Sequence, residues 1–164
     1  MKNIFTLEQL FNIIVVESGR KCMFFGSYQH TLDAKGRMTI PSRMKDEVGS
    51  VLFIMKGFDG CISVYKEEDF QNKMNELRKL PFNQLDSRDY IRAELSSVVD
   101  LEVDDVGRIL LPKRVLQNYN IGKQIMIVGM LDHFEIWDLE AWTNYIDEKN
   151  KLYEEKANLL PKVE

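Results

Sequence analysis

The sequence predicts an α+β fold made by tandem duplication of one β-β-α-β-β-α unit, with the two copies packed about a pseudo-twofold axis. Three observations carry this. The stretch Asp33-Ala34-Lys35-Gly36-Arg37-Met38-Thr39-Ile40-Pro41-Ser42-Arg43-Met44 returns 71 positions later as Asp104-Asp105-Val106-Gly107-Arg108-Ile109-Leu110-Leu111-Pro112-Lys113-Arg114-Val115. Five of the twelve positions are identical, and the apolar positions correspond, Met38 with Ile109, Ile40 with Leu111 and Met44 with Val115. The flanks repeat as well: apolar runs at Val51–Met55 and Ile125–Val128, then Ile62–Tyr65 and Phe134–Trp137, then helical stretches carrying Phe70 and Trp142. Finally, four short strands and one helix do not bury a core alone, whereas two such units packed together do.

Taken in order, Phe24 to Leu32 reads as a strand with Tyr28, His30 and Leu32 alternating. Asp33 to Gly36 is a turn, with Asp suited to its first position and Gly36 free to take positive φ. Arg37 to Ile40 is the return strand. Pro41 ends it and opens a short helix over 42–48, stopped by Gly49. The continuous apolar run Val51–Met55 predicts a strand buried on both faces. A Gly/Asp turn brings Cys61–Tyr65 back against it. Phe70, Met74 and Leu77 then line one face of a helix from about Glu67 to Leu80, bounded by Pro81. A second helix, 86–97, joins the copies with Ile91, Leu95 and Val98 as its apolar stripe. The cycle repeats through Leu101–Val103, the turn Asp104–Gly107, Arg108–Leu111, a short helix, Lys123–Val128 and Phe134–Trp137. The last helix starts near Leu139 with Asp138 as N-cap. The resulting divisions are an extension over 1–22, a first copy over 23–81, a connecting helix over 82–99, a second copy over 100–145 and an acidic helix or tail over 146–164.

Residues 1–22 lie outside the duplication. Their apolar run, Leu10 to Val16, is followed by Arg20 and Lys21 rather than a small-residue cleavage pattern. The expectation is a poorly ordered arm, or translation starting at Met23.

The chain of 164 residues is 45% apolar and carries a net charge of −4, which argues against a blanket nucleic-acid binder. The charge is uneven. Thr31 to Lys45 holds four cations (Lys35, Arg37, Arg43, Lys45) against Asp33, whereas Asp132 to Glu164 holds nine acids and four lysines. Cys22 and Cys61 form no disulfide framework and imply a reducing compartment. With His30 and His133 far apart, the sequence predicts no metal site and no cofactor. No apolar run approaches the length of a membrane span. There is no nucleophile–base pair and no phosphate loop, so no catalytic residues and no small-molecule substrate are expected.

The chemistry sits in the repeated turn. Arg37 and Arg108 each follow an Asp by four residues and a Gly by one. The turn folds each Arg back beside its Asp, which can orient a planar donor fork suited to phosphate or the O6/N7 edge of guanine. Asp33 and Gly36, with Asp104 and Gly107, are the supports of that arrangement. Lys35 stands at the first turn's tip, and Arg43, Lys113 and Arg114 start the short helices. Taken singly, each Asp–Arg pair also fits a plain surface ion pair contributing ~0–1 kcal/mol, and Lys35 fits a solvated turn residue. Trp137 and Trp142 fit a core or a subunit interface.

The segment Met23-Phe24, Gly26, Tyr28-Gln29-His30-Thr31-Leu32-Asp33-Ala34-Lys35-Gly36-Arg37 with Ile40-Pro41 resembles the start of the MraZ family. Asp104, Gly107-Arg108, Leu111-Pro112 and Phe134-Glu135-Ile136-Trp137 resemble its second half. The resemblance implies two AbrB-like units forming a swapped-hairpin, double-psi-like barrel. It also implies a bacterial transcriptional regulator that acts as a homo-oligomeric ring on tandem repeats in double-stranded DNA, upstream of the division and cell-wall gene cluster. The expected location is the cytoplasm, in association with the nucleoid. By position, Arg37 and Arg108 would contact DNA. The second copy departs from the first, with Asp105 for Ala34 and Val106 for Lys35, so unequal DNA contact is expected, and Lys113 stands where copy one has Ser42 as a compensating cation. The alternative function is a non-enzymatic protein-interaction scaffold that uses the acidic helix.

Overall fold

The computed structural model describes residues 23–161; the expectations for residues 1–22 fall outside them. Each copy contributes four strands. In the first these are β1 (Ser27–Thr31), β2 (Arg37–Thr39), β3 (Val51–Lys56) and β4 (Ile62–Lys66), with α1 (Ser42–Lys45) between β2 and β3. Helices α2 (Glu67–Arg78) and α3 (Leu85–Ser96) follow. The second copy holds β5 (Val99–Glu102), β6 (Arg108–Leu110), α4 (Lys113–Asn118), β7 (Gln124–Gly129), β8 (His133–Asp138) and α5 (Leu139–Asn150), and α6 (Tyr153–Leu159) ends the described chain.

The strands form a six-stranded antiparallel sheet in the order β1-β7-β8-β4-β3-β5 and a separate two-stranded ribbon, β2-β6. Exchanging each strand for its counterpart in the other copy (β1 for β5, β3 for β7, β4 for β8) returns the same order read from the opposite edge. The pseudo-twofold axis therefore passes between β4 and β8. It also passes through the centre of the ribbon, where Met38 pairs with Ile109, its own repeat counterpart. Only β3–β4 and β7–β8 are hairpins within a copy; β1 pairs with β7, β5 with β3 and β2 with β6, so the copies interlock.

Two sequence expectations change here. β2 does not return along β1: past the turn closure, where the Asp33 N–H donates to the Arg37 carbonyl, its ladder partner is β6. Three-residue strands carry little pairing information of their own, and the choice falls to what Met38 and Ile109 can bury together. The sheet is also open, with β1 and β5 at its edges, and no ladder joins it to the ribbon into a closed barrel among the described residues.

The ribbon and short helices cover one face of the sheet. Met38, Ile40, Met44, Ile109, Leu111 and Val115 meet Leu52, Ile54, Ile62, Val64, Ile125, Ile127, Phe134 and Ile136 in the main core. The other face carries the long helices. Phe53 stacks on Phe70 at 4.1 Å beneath α2, joined by Met55, Tyr65 and Leu77, and Trp137 packs edge-on against Trp142 at 5.3 Å beneath α5. The apolar run of β3 is thus divided between two cores, as its sequence predicts. Asp138 caps α5, its Oδ1 accepting from the Glu140 and Ala141 N–H groups at 3.0 and 3.2 Å. The stripe expected on α3 is met at Val98 and displaced at its other two positions. Tyr90, Glu94 and Val98 face inward, while Leu95 is left 46% exposed. No helix among the described residues is long and apolar enough to cross a membrane.

Candidate nucleic-acid interface

The two turns are built alike. The Gly36 N–H donates to the Asp33 carbonyl at 3.0 Å, and the Gly107 N–H donates to the Asp104 carbonyl at 2.9 Å. Asp33 Oδ1 accepts from the Lys35 and Arg37 N–H groups, both at 2.9 Å, and Asp104 Oδ1 accepts from those of Val106 and Arg108 at 3.1 and 2.8 Å. The second carboxylate oxygen then takes the arginine side chain, Arg37 Nε to Asp33 Oδ2 at 2.6 Å and Arg108 Nε to Asp104 Oδ2 at 2.7 Å. Each Asp holds its arginine by the Nε edge, and no side-chain hydrogen bond among the described residues engages the Nη groups. Those two nitrogens form the fork that recognises planar acceptors.

These bonds shift the carboxylates. Asp33 is lowered to about 2, chiefly by the backbone N–H of Arg37 and then by its side chain. At Asp104 desolvation opposes the shift, but the backbone and side-chain bonds from Arg108 outweigh it and the group still ends below its ordinary value. Both stay ionised at neutral pH, so both arginines keep their orienting partner.

The glycines fix each turn to the other copy. Both have positive φ, +83° at Gly36 and +79° at Gly107. The Gly36 carbonyl accepts from the Leu111 N–H at 3.0 Å, and the Gly107 carbonyl accepts from the Ile40 N–H at 2.9 Å. A Cβ on Gly36 would stand 3.2 Å from the Leu111 carbonyl oxygen.

The ribbon sets the outer surface. Met38 and Ile109 are 0% and 1% exposed, so strand alternation turns Arg37, Thr39, Arg108 and Leu110 outward. Arg37 lies opposite Leu110 and Arg108 opposite Thr39, which puts the two arginine backbones roughly 8 Å apart on a diagonal of the same face. Their side chains are 33% and 35% exposed.

The remaining cations divide between the turns in a way the sequence did not indicate. Because the ribbon is antiparallel, α1 leaves it beside the second turn and α4 beside the first. Leu116 of α4 approaches Gly36, and Lys45 of α1 lies against Gly107. Lys45 Nζ donates to the Val106 carbonyl at 3.3 Å. The cation that supplements the second turn is therefore Lys45, from copy one. Lys113 and Arg114 are exposed on α4, on the side of the first turn. Lys35 is exposed at its tip. Arg43 is exposed on α1, its guanidinium 5.9 Å from the Phe25 ring centre. In the sequence Lys45 belongs to the basic segment, and no local signal links it to Val106, 61 positions away. The second turn is also flanked by acids, since an open groove runs from Arg37, Arg108 and Leu110 to Asp100, Glu102 and Asp105. Among the described residues no group of His, Cys, Asp and Glu is placed to hold a metal ion.

Comparison with known proteins agrees with this duplicated architecture. The family model of the MraZ protein matches twice, over residues 23–93 and 95–161. A protein named Transcriptional regulator MraZ from Syntrophomonas wolfei is 38% identical over 138 residues, which span 84% of this chain and 96% of that one. Its namesakes from Alkaliphilus metalliredigens and Moorella thermoacetica are 35% identical over 136 residues and 38% over 135. These alignments span 83% and 82% of this chain and 95% and 94% of those proteins. With both copies matched and relatives covered almost end to end, the chain belongs to the MraZ family.

Proposed function

We propose that this chain is a sequence-specific DNA-binding transcription regulator that works as a homo-oligomeric ring on tandem promoter repeats, those of the division and cell-wall gene cluster. The observation that carries the reading is the outer face of the β2–β6 ribbon. Two arginines share it, each clamped at Nε with its Nη fork unengaged. The major groove of B-DNA admits a two-stranded ribbon, and an arginine fork matches guanine O6 and N7. Lys35, Arg43, Lys45, Lys113 and Arg114 flank the ribbon and supply phosphate contacts, which fix register without reading sequence. The regulator name of the relatives supports the same reading, and the interlocked pairing of the copies supports placing the fold with AbrB-like swapped hairpins.

A ring presents one such ribbon per subunit. Repeats spaced by about 10 bp put successive contacts on one side of the duplex, and linked weak contacts add as avidity. The net charge of −4 keeps non-specific affinity modest. The protein accordingly works in the cytoplasm, associated with the nucleoid. Footprinting on the chain's own upstream region tests this. Wild type protects a periodic series of sites, and the Arg37→Ala, Arg108→Ala double variant protects none. Protection by the double variant would move the contact off the ribbon. Absence of protection by wild type would favour the protein-interaction scaffold.

A further inference from the structure

The helix-covered face of the sheet turns polar at its centre. Ile62 pairs with Ile136 and Val64 with Phe134, so the pseudo-twofold axis runs through the pair between them, Ser63 and Glu135, which are repeat counterparts. On the copy-two side of that point the space over the sheet is filled. Trp137 lies against Trp142 and Tyr145, with ring centres 5.3 and 4.9 Å away. On the copy-one side stands Tyr65, the counterpart of Trp137, and there a cleft of about 270 Å³ opens. Ser63 and Tyr65, 6% and 7% exposed, form its floor, and the exposed Phe58 and Met130 stand at its mouth.

Helix α3 brings a carboxylate into this cleft. The Lys56 N–H donates to Ser97 Oγ at 2.9 Å, and Ser97 Oγ donates to the Glu94 carbonyl at 2.6 Å, which ties the end of α3 to the end of β3. Glu94 is held there 5% exposed, lining the cleft. No hydrogen bond or ion pair among the described residues reaches its carboxylate, and no side-chain oxygen among them is both sealed off and unpartnered, so the carboxylate opens into the cleft. Lys56 and Lys73 line the same space and are likewise in no ion pair among the described residues. Burial raises the Glu94 carboxyl above its ordinary value, and the two lysines oppose that from beyond contact. The neighbouring acids are already engaged: Asp132 Oδ1 lies 2.7 Å from His133 Nδ1, and Glu135 Oε2 accepts from Trp137 Nε1 at 2.8 Å. A carboxylate withdrawn from water without donors is destabilising, and such groups gather where a ligand completes them.

We propose that this cleft binds a small neutral α-amino acid, its ammonium on Glu94, its carboxylate on Lys56 and Lys73, and its side chain toward Phe58 and Met130. A zwitterion has the two ends required by an acid and a pair of bases that share one space without touching. A simple cation leaves both lysines unanswered, and a simple anion meets Glu94. The volume admits only a small metabolite, since pockets for drug-sized ligands start at about 300 Å³. Burial pushes the Tyr65 phenol up, so the floor keeps a hydroxyl donor. The cleft and the β2–β6 ribbon lie on opposite faces of the sheet, so an occupant leaves the arginine face clear. The inference goes beyond the DNA reading and does not depend on it.

The test is calorimetric titration of the full chain, without DNA, with glycine, L-alanine, L-valine and L-leucine. The expected result is one site per chain for at least one of the four. Its amide, which lacks the carboxylate, and its deaminated acid, which lacks the ammonium, should each bind at least about tenfold more weakly, as loss of a charged hydrogen-bond partner does. Glu94→Gln should abolish binding with the thermal midpoint unchanged or raised, because it removes an unpaired buried charge; a Glu94 that serves only the fold would lower that midpoint. Lys73→Met should weaken binding at least about tenfold. Binding of none of the four amino acids would overturn the proposal. An amide that binds as well as its amino acid would make the cleft a site for simple cations and overturn it too, as would undiminished binding by Glu94→Gln. The comparison of amino acid, amide and deaminated acid is made on wild type, so it decides the matter even if Glu94→Gln does not fold.

Discussion

The two turns share one skeleton and differ in what surrounds it. In both, an Asp gathers two backbone N–H groups and the arginine Nε within a tenth or two of an ångström of the same distances. Yet the first turn carries Lys35 at its tip and has α4 beside it, whereas the second has Val106 at its tip and Asp105 next to it. Its nearest added cation, Lys45, is borrowed from the other copy. Duplication has kept the orienting device twice and left the field around it unequal. The ribbon face therefore has a direction.

The largest effect expected from this inequality is on DNA affinity. Arg37→Ala should cost about 1–3 kcal/mol per site, as loss of a bidentate base contact does. Arg108→Ala should cost less, because the acids around the second turn oppose the approach of a phosphate there. Anisotropy titrations of the two single variants on one repeat measure the difference, and equal losses would break the comparison. Next come the glycines. Gly36→Ala and Gly107→Ala each force an alanine into left-handed backbone, at about 1–2 kcal/mol. Gly36→Ala should be the more damaging, because its methyl meets the Leu111 backbone oxygen, whereas at Gly107 the obstacle is the flexible Lys45 side chain. Urea denaturation of the pair decides this. The new methyl should also displace Lys45, so Gly107→Ala and Lys45→Ala should weaken DNA binding alike.

Smaller still is the effect of single charges. Val106→Lys should raise the magnitude of the negative slope of log K against log salt by about 0.9, the contribution of one phosphate contact. Lys35→Val should lower it by as much and bring the first turn toward the second. The smallest effect concerns acid. A lowered pKa means the native state favours the ionised carboxylate. The stabilisation from Asp33 is thus present above its ordinary value of 3.8 and fades as pH falls toward about 2. NMR titration should place the Asp33 midpoint near 2 and that of Asp104 below its ordinary value, each rising only part of the way back when Arg37 or Arg108, respectively, is changed to Ala, because the backbone N–H bonds remain.

What the sequence disclosed follows the range over which each force acts. The Asp–Gly–Arg turns, the N-cap at Asp138 and the apolar run of β3 are settled within a few residues, and all stand where the sequence puts them. Pairing is different. Whether β2 lies along β1 or β6 is decided by the joint burial of Met38 and Ile109, which no local signal encodes. Lys45 was legible as a charge but not as a partner of the second turn, for the same reason. On α3 the sequence places Val98 on the core, where it packs, but favours Ile91 and Leu95 over Tyr90 and Glu94, because two stripes compete on this helix. The candidate site was legible in its arginines and their supports, and hidden in the pairing that puts both arginines on one face.

The most direct measurement is fluorescence anisotropy of a duplex from the chain's own upstream region, scanned over salt, for wild type and Arg37→Ala. The account predicts tight wild-type binding that weakens steeply with salt and is lost in the variant. Wild-type affinity retained by Arg37→Ala would contradict it.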